Sequence, residues 1–299
     1  MLTAHVGGPV FAPLELAPAA VAAVLYAKRA RTLARDGRHP VPAWRQWCFH
    51  GGLALIVVTL VSPVAHISDE LFLAHMAEHL LLADIGALLL VLGLTGPLLA
   101  PILKRAGWLR VLGNPAVALP LWAIDLYAWH APGLYQGAVR HPALHALEHA
   151  CFVAFGMAIW MPLFGPLPQP AWFGNAAKLG YIIVVRLTGA VLGNVLVWSG
   201  TVFYPDYAAG ERSWHVTAVQ DQNAAGAIMM VEGSLLTICL FAWLFLRFAR
   251  EGEERQELLD LAAERGVALD ERRAARAVSA GRGDELRRRL EQQAPVGGP

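Results

Sequence analysis

The chain has 299 residues, of which 56% are hydrophobic and 16% charged, with a formal net charge of +1 at pH 7 and a mean hydropathy of +0.45. A soluble domain of this length carries close to a quarter charged residues, so a soluble globular protein is excluded, and the balanced charge offers no basic face for nucleic acid. The class that remains is all-α and polytopic, with the lipid bilayer as its first partner.

Apolar stretches of about 17 to 25 residues predict seven transmembrane helices, over residues 9–27, 47–66, 71–94, 115–131, 144–164, 178–200 and 223–247. The first holds Glu15 and three prolines and follows no basic segment, so it reads as a retained helix rather than a cleaved signal peptide. The fourth is short and contains Pro120. Residues 1–248 form the transmembrane domain, and residues 249–299, rich in Glu, Arg, Ala and Leu, form a charged helical tail. Breaks are expected near Gly266 and Gly281, with disorder in the closing Pro-Val-Gly-Gly-Pro.

Lysine and arginine set the orientation. The first loop holds Lys28, Arg29, Arg31, Arg35, Arg38 and Arg45, the third Lys104, Arg105 and Arg110, and Lys178 and the Arg247/Arg250 pair flank later spans; the opposite side has only Arg140 and Arg212. The N-terminus is therefore expected outside and the C-terminus in the cytoplasm. That topology sends His66, His75, His79, His130, His141, His145, His149 and His215 to the extracytoplasmic end, leaves His39 and His50 on the cytoplasmic side, and puts His5 near the outer terminus.

Two copies of one pattern, His75-Met76-Ala77-Glu78-His79 and His145-Ala146-Leu147-Glu148-His149, stand 70 residues apart. Histidines four residues apart share one helical face about 6 Å apart, so each copy offers a two-imidazole claw with a carboxylate beside it. A single histidine near a helix end is an ordinary interfacial residue, but repeated pairs inside apolar spans point to function, because ionisable groups there are costly. His75, His79, His145 and His149 are the expected metal ligands, with Met76, His130 and His141 at the same level.

Imidazole suits copper, zinc, iron and nickel, and a nearby thioether tilts the choice to Cu(I); Met76, Met229 and Met230 supply thioethers. Zinc is the other candidate. Glu78, Glu148 and Asp125 are placed to orient imidazoles through their second nitrogens. Asp84 and Arg186, each about 20 Å deep by helical rise, are expected to pair and fix helix packing. Cys48, Cys151 and Cys239 form no C-x-x-C pair, which argues against a thiol-based copper site.

Several blocks carry a family resemblance: His75-Met76-Ala77-Glu78-His79 before Leu94-Thr95-Gly96-Pro97, Trp129-His130 to His141-Pro142-Ala143-Leu144-His145, Glu148-His149 leading to Trp160-Met161-Pro162-Leu163-Phe164-Gly165-Pro166, Tyr204-Pro205-Asp206-Tyr207, and Asp221-Gln222-Asn223-Ala224-Ala225-Gly226. Over residues 40–250 the chain resembles the CtaG-type cytochrome c oxidase assembly factors. The resemblance implies a seven-helix protein of the bacterial inner (plasma) membrane that matures haem-copper oxidases, with copper passed from a donor protein to an oxidase subunit and no catalytic turnover. Met230 departs from the tryptophan expected there, and the tail lies outside the matched region.

Two other classes fit parts of the pattern. H-x-x-E-H is also the inverted zinc-protease motif, in which glutamate is the base, although one catalytic zinc needs only one such helix. A bis-histidine haem would use imidazoles from neighbouring helices, a poorer match to four histidines at one depth.

Overall fold

A computed structural model of the chain describes residues 13–37, 39–61 and 63–292. Arg38, the expected position of His5 and the expected disorder of the last five residues lie outside them. The described chain is all-helical, with no strand among the described residues. In order come α1 (Pro13–Asp36), α2 (Ala43–Val61), α3 (Pro63–Ser68), α4 (Phe72–Leu80), α5 (Ala87–Gly93), α6 (Gly96–Arg105) and α7 (Pro115–Trp129). There follow α8 (Pro132–Arg140), α9 (Pro142–Phe164), α10 (Asn175–Trp198), α11 (Ala208–Ser213), α12 (Ala218–Glu264), α13 (Glu271–Ser279) and α14 (Gly283–Gln292). The chain divides into two compact units, one ending at Leu235 and the other beginning at Leu236.

Among the described residues, four rods are long and apolar enough to cross a membrane: Phe72–Gly93, Pro142–Phe164, Asn175–Trp198 and Ala218–Glu264. A fifth is available if the Gly107–Gly113 turn and α7, bent by 89°, count as one span. Of the first two expected stretches, 9–27 begins outside the described residues, and its helix α1 runs on into Lys28, Arg29, Arg31 and Arg35, while 47–66 contains residue 62, also outside them. On α10, Ile183, Val184, Leu187, Val191 and Val195 are exposed, an apolar face suited to lipid rather than water.

Local sequence explains where the helices start. Prolines occupy the first turn of α7, α8 and α9, where a missing N–H costs nothing. Asn114 adds a cap to α7 by accepting from the Ala116 N–H at 3.0 Å. Between α4 and α5 the rod widens into a π-helical turn, Leu81–Gly86, which carries Asp84. Opposite it on α9 sits Gly156, where a Cβ would collide with the Ala83 carbonyl oxygen. Only glycine lets the two backbones meet there.

At the α5 terminus the basic residues do structural work. Arg45 donates to the Leu92 and Leu94 carbonyls at 2.9 and 2.8 Å, Tyr26 donates to the Gly93 carbonyl at 3.0 Å, and Arg29 donates to the Pro97 carbonyl at 3.1 Å. Positive charge and donors placed on the open carbonyls of a helix end are favourable.

The expected Asp84–Arg186 pair is replaced by a three-residue arrangement. Arg186 donates to the Met230 carbonyl at 3.0 Å and to the Ser234 hydroxyl at 2.8 Å, while Asp84 is in hydrogen-bonding contact with Glu232, whose charge Arg186 offsets. The physical reason is reach. Glu232 of α12 stands between the acid of the π turn and the arginine of α10.

In the second unit, Leu258, Ala262, Val278 and Leu290 form a small core, with Leu261, Val267, Leu269 and Leu286 packed on it. The breaks at Gly266 and Gly281 are turns with φ of 66° at both glycines, a conformation that other residues rarely adopt.

Candidate metal centre

The start of α4, the end of α7 and the start of α9 meet at one end of the first unit. His75 and His79 project from one face of α4 with ring centroids 4.3 Å apart, and His145 and His149 do the same on α9 at 4.2 Å. Across the helices, His75 lies 5.2 Å from His145, and His79 lies 5.5 Å from His149. One ligand-capable atom from each of His75, His79, His145 and Glu148 falls within 4.8 Å of all the others. His149 stands beside this set, its ring 6.5 Å from that of His75.

Burial makes the arrangement costly without a cation. His75, His79 and His149 are 2 to 4% exposed, and Glu148 is 0% exposed. The Nε2 of His75, both ring nitrogens of His79 and both carboxylate oxygens of Glu148 are buried without a protein hydrogen-bond partner. Each such group gives up bulk hydration that no protein group replaces. A bound cation would take one nitrogen from each imidazole and a carboxylate oxygen, and three imidazoles with one carboxylate form a donor set for copper or zinc.

The carboxylates divide their roles differently from the sequence expectation. Glu148, expected to orient an imidazole, lies within ligand distance of three histidines. His75 is oriented by the backbone of Ser68, through the nitrogen other than Nε2. Asp125 is buried and takes a hydrogen bond from Trp129. Glu78 is buried on the same helix as the first claw.

Met76 is 1% exposed, and its Sδ lies 3.4 Å from the Nε2 of His130. The His130 Nδ1–H donates to the Leu126 carbonyl at 2.7 Å, and its ring lies 6.5 Å from that of His79. Of the expected ligands, His149 and His141 fall outside the four-residue set, His149 beside it and His141 before the first turn of α9, where it is exposed. For His141 the geometry explains this, because His145 and His149 lie on the inward face while His141 turns away before the helix begins. His66 is half-buried and His215 exposed, and neither is in the four-residue set. Met230, counted in the sequence as a thioether at this level, faces Arg186 at 3.7 Å and Asn194 at 3.6 Å instead.

Two features were not legible in the sequence. The first is an aromatic roof. Tyr135 lies 5.2 Å from His75 and shares a 2.7 Å hydroxyl–hydroxyl hydrogen bond with Tyr207, while Phe72 and Tyr204 complete the layer at 4.5 Å from each other. Burial holds the Tyr135 and Tyr207 hydroxyls well above the usual phenol range, so neither is a phenolate ligand near neutral pH. The second is Asp221 of α12, which accepts from the Phe72 N–H at 2.7 Å and the Leu73 N–H at 2.9 Å. It caps α4 from another helix, where no local residue does so. The motif Asp221-Gln222 was the available signal, and Gln222 likewise holds the Phe203 N–H at 2.9 Å and the Thr201 carbonyl at 3.0 Å.

Beside the cluster, an apolar cavity of 320 Å³ runs among α1, α2 and α9, lined by Pro18, Phe49, Leu53, Ile56, Met157 and His149.

Fold and site together define a class: an all-helical membrane protein with a buried histidine–carboxylate cluster at one end of its helices. The chain belongs to the cytochrome c oxidase caa3 assembly factor family (Caa3_CtaG), whose profile matches residues 24–251. It is 27% identical over 277 residues to uncharacterized proteins of Mycobacterium bovis and Mycobacterium tuberculosis, a match covering 86% of this chain and 42% of each relative. An uncharacterized protein of Mycobacterium leprae is 24% identical over 229 residues, covering 70% of this chain and 35% of its own. The chain thus spans less than half the length of the curated relatives it matches. No solved structure matches it.

Proposed function

We propose that this assembly factor binds Cu(I) at the histidine cluster and delivers it to a haem-copper oxidase subunit. The carrying observation is the convergence of His75, His79, His145 and Glu148 to within 4.8 Å in a buried setting. Copper is cargo in this reading, received from a donor protein and released by ligand exchange without turnover. His145 is only half-buried and His149 lines the apolar cavity, which gives the cluster an edge where a partner's ligands can enter.

The bilayer placement belongs to the same proposal: seven spans in a bacterial inner membrane, N-terminus outside, histidine cluster at the extracytoplasmic end. Its support is the excess of arginine and lysine in the loops at the opposite end. Alkaline phosphatase fused after residue 140 is expected to be active, and fused after residue 110 inactive; the reverse pattern would overturn the orientation.

The alternatives fare worse on geometry. A metalloprotease glutamate acts as a free base, whereas Glu148 is within ligand distance of three histidines. A haem takes two imidazoles on opposite faces of its plane, and here a third imidazole and a carboxylate lie within the same 4.8 Å, in the space the macrocycle would need; a purified protein without a Soret band would agree.

The test is metal analysis of detergent-purified protein loaded with Cu(I), beside a His79→Ala, His149→Ala double variant. Loss of copper from a variant that still elutes as folded protein is expected. Equal copper in both would remove the site.

A further inference from the structure

The contact between His130 and Met76 is chemically odd. The Nδ1 of His130 lies 2.7 Å from the Leu126 carbonyl oxygen, which can only accept, so that nitrogen carries the proton. In the neutral ring, Nε2 is then a bare lone pair. It lies 3.4 Å from the Met76 sulfur, and a thioether has no proton to give. Two electron-pair donors thus face each other with nothing between them to share. An imidazolium would resolve this with an N–H, but His130 is 6% exposed and its two ring nitrogens face the Leu126 carbonyl and the Met76 sulfur, with no carboxylate at either.

The surroundings narrow what could lie between them. Phe152 stands 5.9 Å from His130 and 4.5 Å from His79, and Tyr135 stands 6.4 Å from His130. His79, one turn from Met76 on α4, is 6.5 Å from His130 and has two buried nitrogens without protein partners. One imidazole nitrogen and one thioether sulfur among buried aromatic neighbours suit a soft monovalent cation and are poor for zinc or harder ions, which gain little from a thioether.

We propose that His130 Nε2 and Met76 Sδ form a second Cu(I) position, separate from the His75, His79, His145 and Glu148 cluster, with His79 standing between the two. The inference rests on the copper reading for its choice of metal. It adds a second stop, so that one chain carries two ions. Ligand exchange alone moves the ion, with no change in oxidation state.

Copper stoichiometry and sulfur coordination test it. The full chain in detergent is loaded with Cu(I) under anaerobic conditions, washed with a competing Cu(I) chelator, and examined by metal analysis and X-ray absorption, beside Met76→Leu and His130→Gln variants. Wild type is expected to hold two Cu(I) per chain with a sulfur neighbour. Both variants should hold one, with the sulfur signal gone from Met76→Leu. Loaded with Zn(II) instead, wild type and Met76→Leu should take up equal amounts. Met76→Leu preserves shape and apolarity, so folding is kept. The same Cu(I) count in wild type and Met76→Leu would overturn the second position. If that shared copper is still lost from the His79→Ala, His149→Ala variant, the proposed function stands; wild type without copper would remove both.

Discussion

Single side chains hold the metal end together, and two of them are open to direct tests. Asp221 supplies both acceptors for the first N–H groups of α4, at 2.7 and 2.9 Å. Asp221→Ala leaves those donors buried and unsatisfied, which should cost about 2 kcal/mol. A lower melting temperature and weaker Cu(I) retention are expected, with partial recovery in Asp221→Asn; unchanged values would show the cap to be dispensable. Tyr135 and Tyr207 share one hydrogen bond and no ligand role. Tyr135→Phe should lower stability by about 1 kcal/mol and leave copper binding unchanged. Because burial raises both phenols above their ordinary 10.0, the unfolded chain releases these protons first. Stability should therefore be full below pH 10 and fall as pH climbs through the folded-state values. Thermal unfolding in detergent at a series of alkaline pH values, with Tyr135→Phe showing a shallower fall, checks the sign.

At the level of helices, the π turn sets the geometry. Widening the rod at Leu81–Gly86 presents Asp84 to Glu232, and the bare Gly156 lets α9 approach the same turn closely. Gly156→Leu has no space to enter, so the helices must separate, at about 3 kcal/mol or more. Loss of the monodisperse peak in size-exclusion chromatography is the expected result. Two carboxyl groups can hydrogen-bond only if one keeps its proton, so Arg186 offsets the charge that remains. Arg186→Leu removes that offset and the contacts to Met230 and Ser234, which should cost about 2 kcal/mol. Adding Glu232→Gln should restore part of the loss in melting temperature. A further drop would show that packing, and not charge, is what Arg186 supplies.

On the scale of the whole molecule, two units have different physics. The first places polar chemistry inside an apolar bundle. The second, from Leu236 on, builds a small aqueous-type core from Leu258, Ala262, Val278 and Leu290, laced by ion pairs such as Arg255–Glu271 at 3.5 Å and Arg287–Glu257. Surface pairs of this kind add little, so the leucines carry its stability. Leu258→Asp should unfold the α13–α14 segment, seen as rapid proteolysis beyond residue 264, and leave Cu(I) stoichiometry untouched. A change in stoichiometry would tie the tail to the metal end.

The sequence by itself determined the all-helical class, the apolar rods and the spacing of the two claws, because composition and the 3.6-residue period are local properties that survive any packing. It also carried the family, through short blocks in a fixed order. Tertiary structure alone decided which histidines meet. His141, four residues before His145, is out of the cluster because its helix has not yet begun, and Glu148 moves from a supporting role to ligand distance because α9 faces α4 with that side inward. The same holds for Glu232 between Asp84 and Arg186, for Asp221 capping a helix 148 and 149 residues away, and for the Met76–His130 contact across 54 residues. Depth in a bilayer can be counted along one helix, but the rotation of one helix against the next is set by side-chain packing, which no linear pattern encodes.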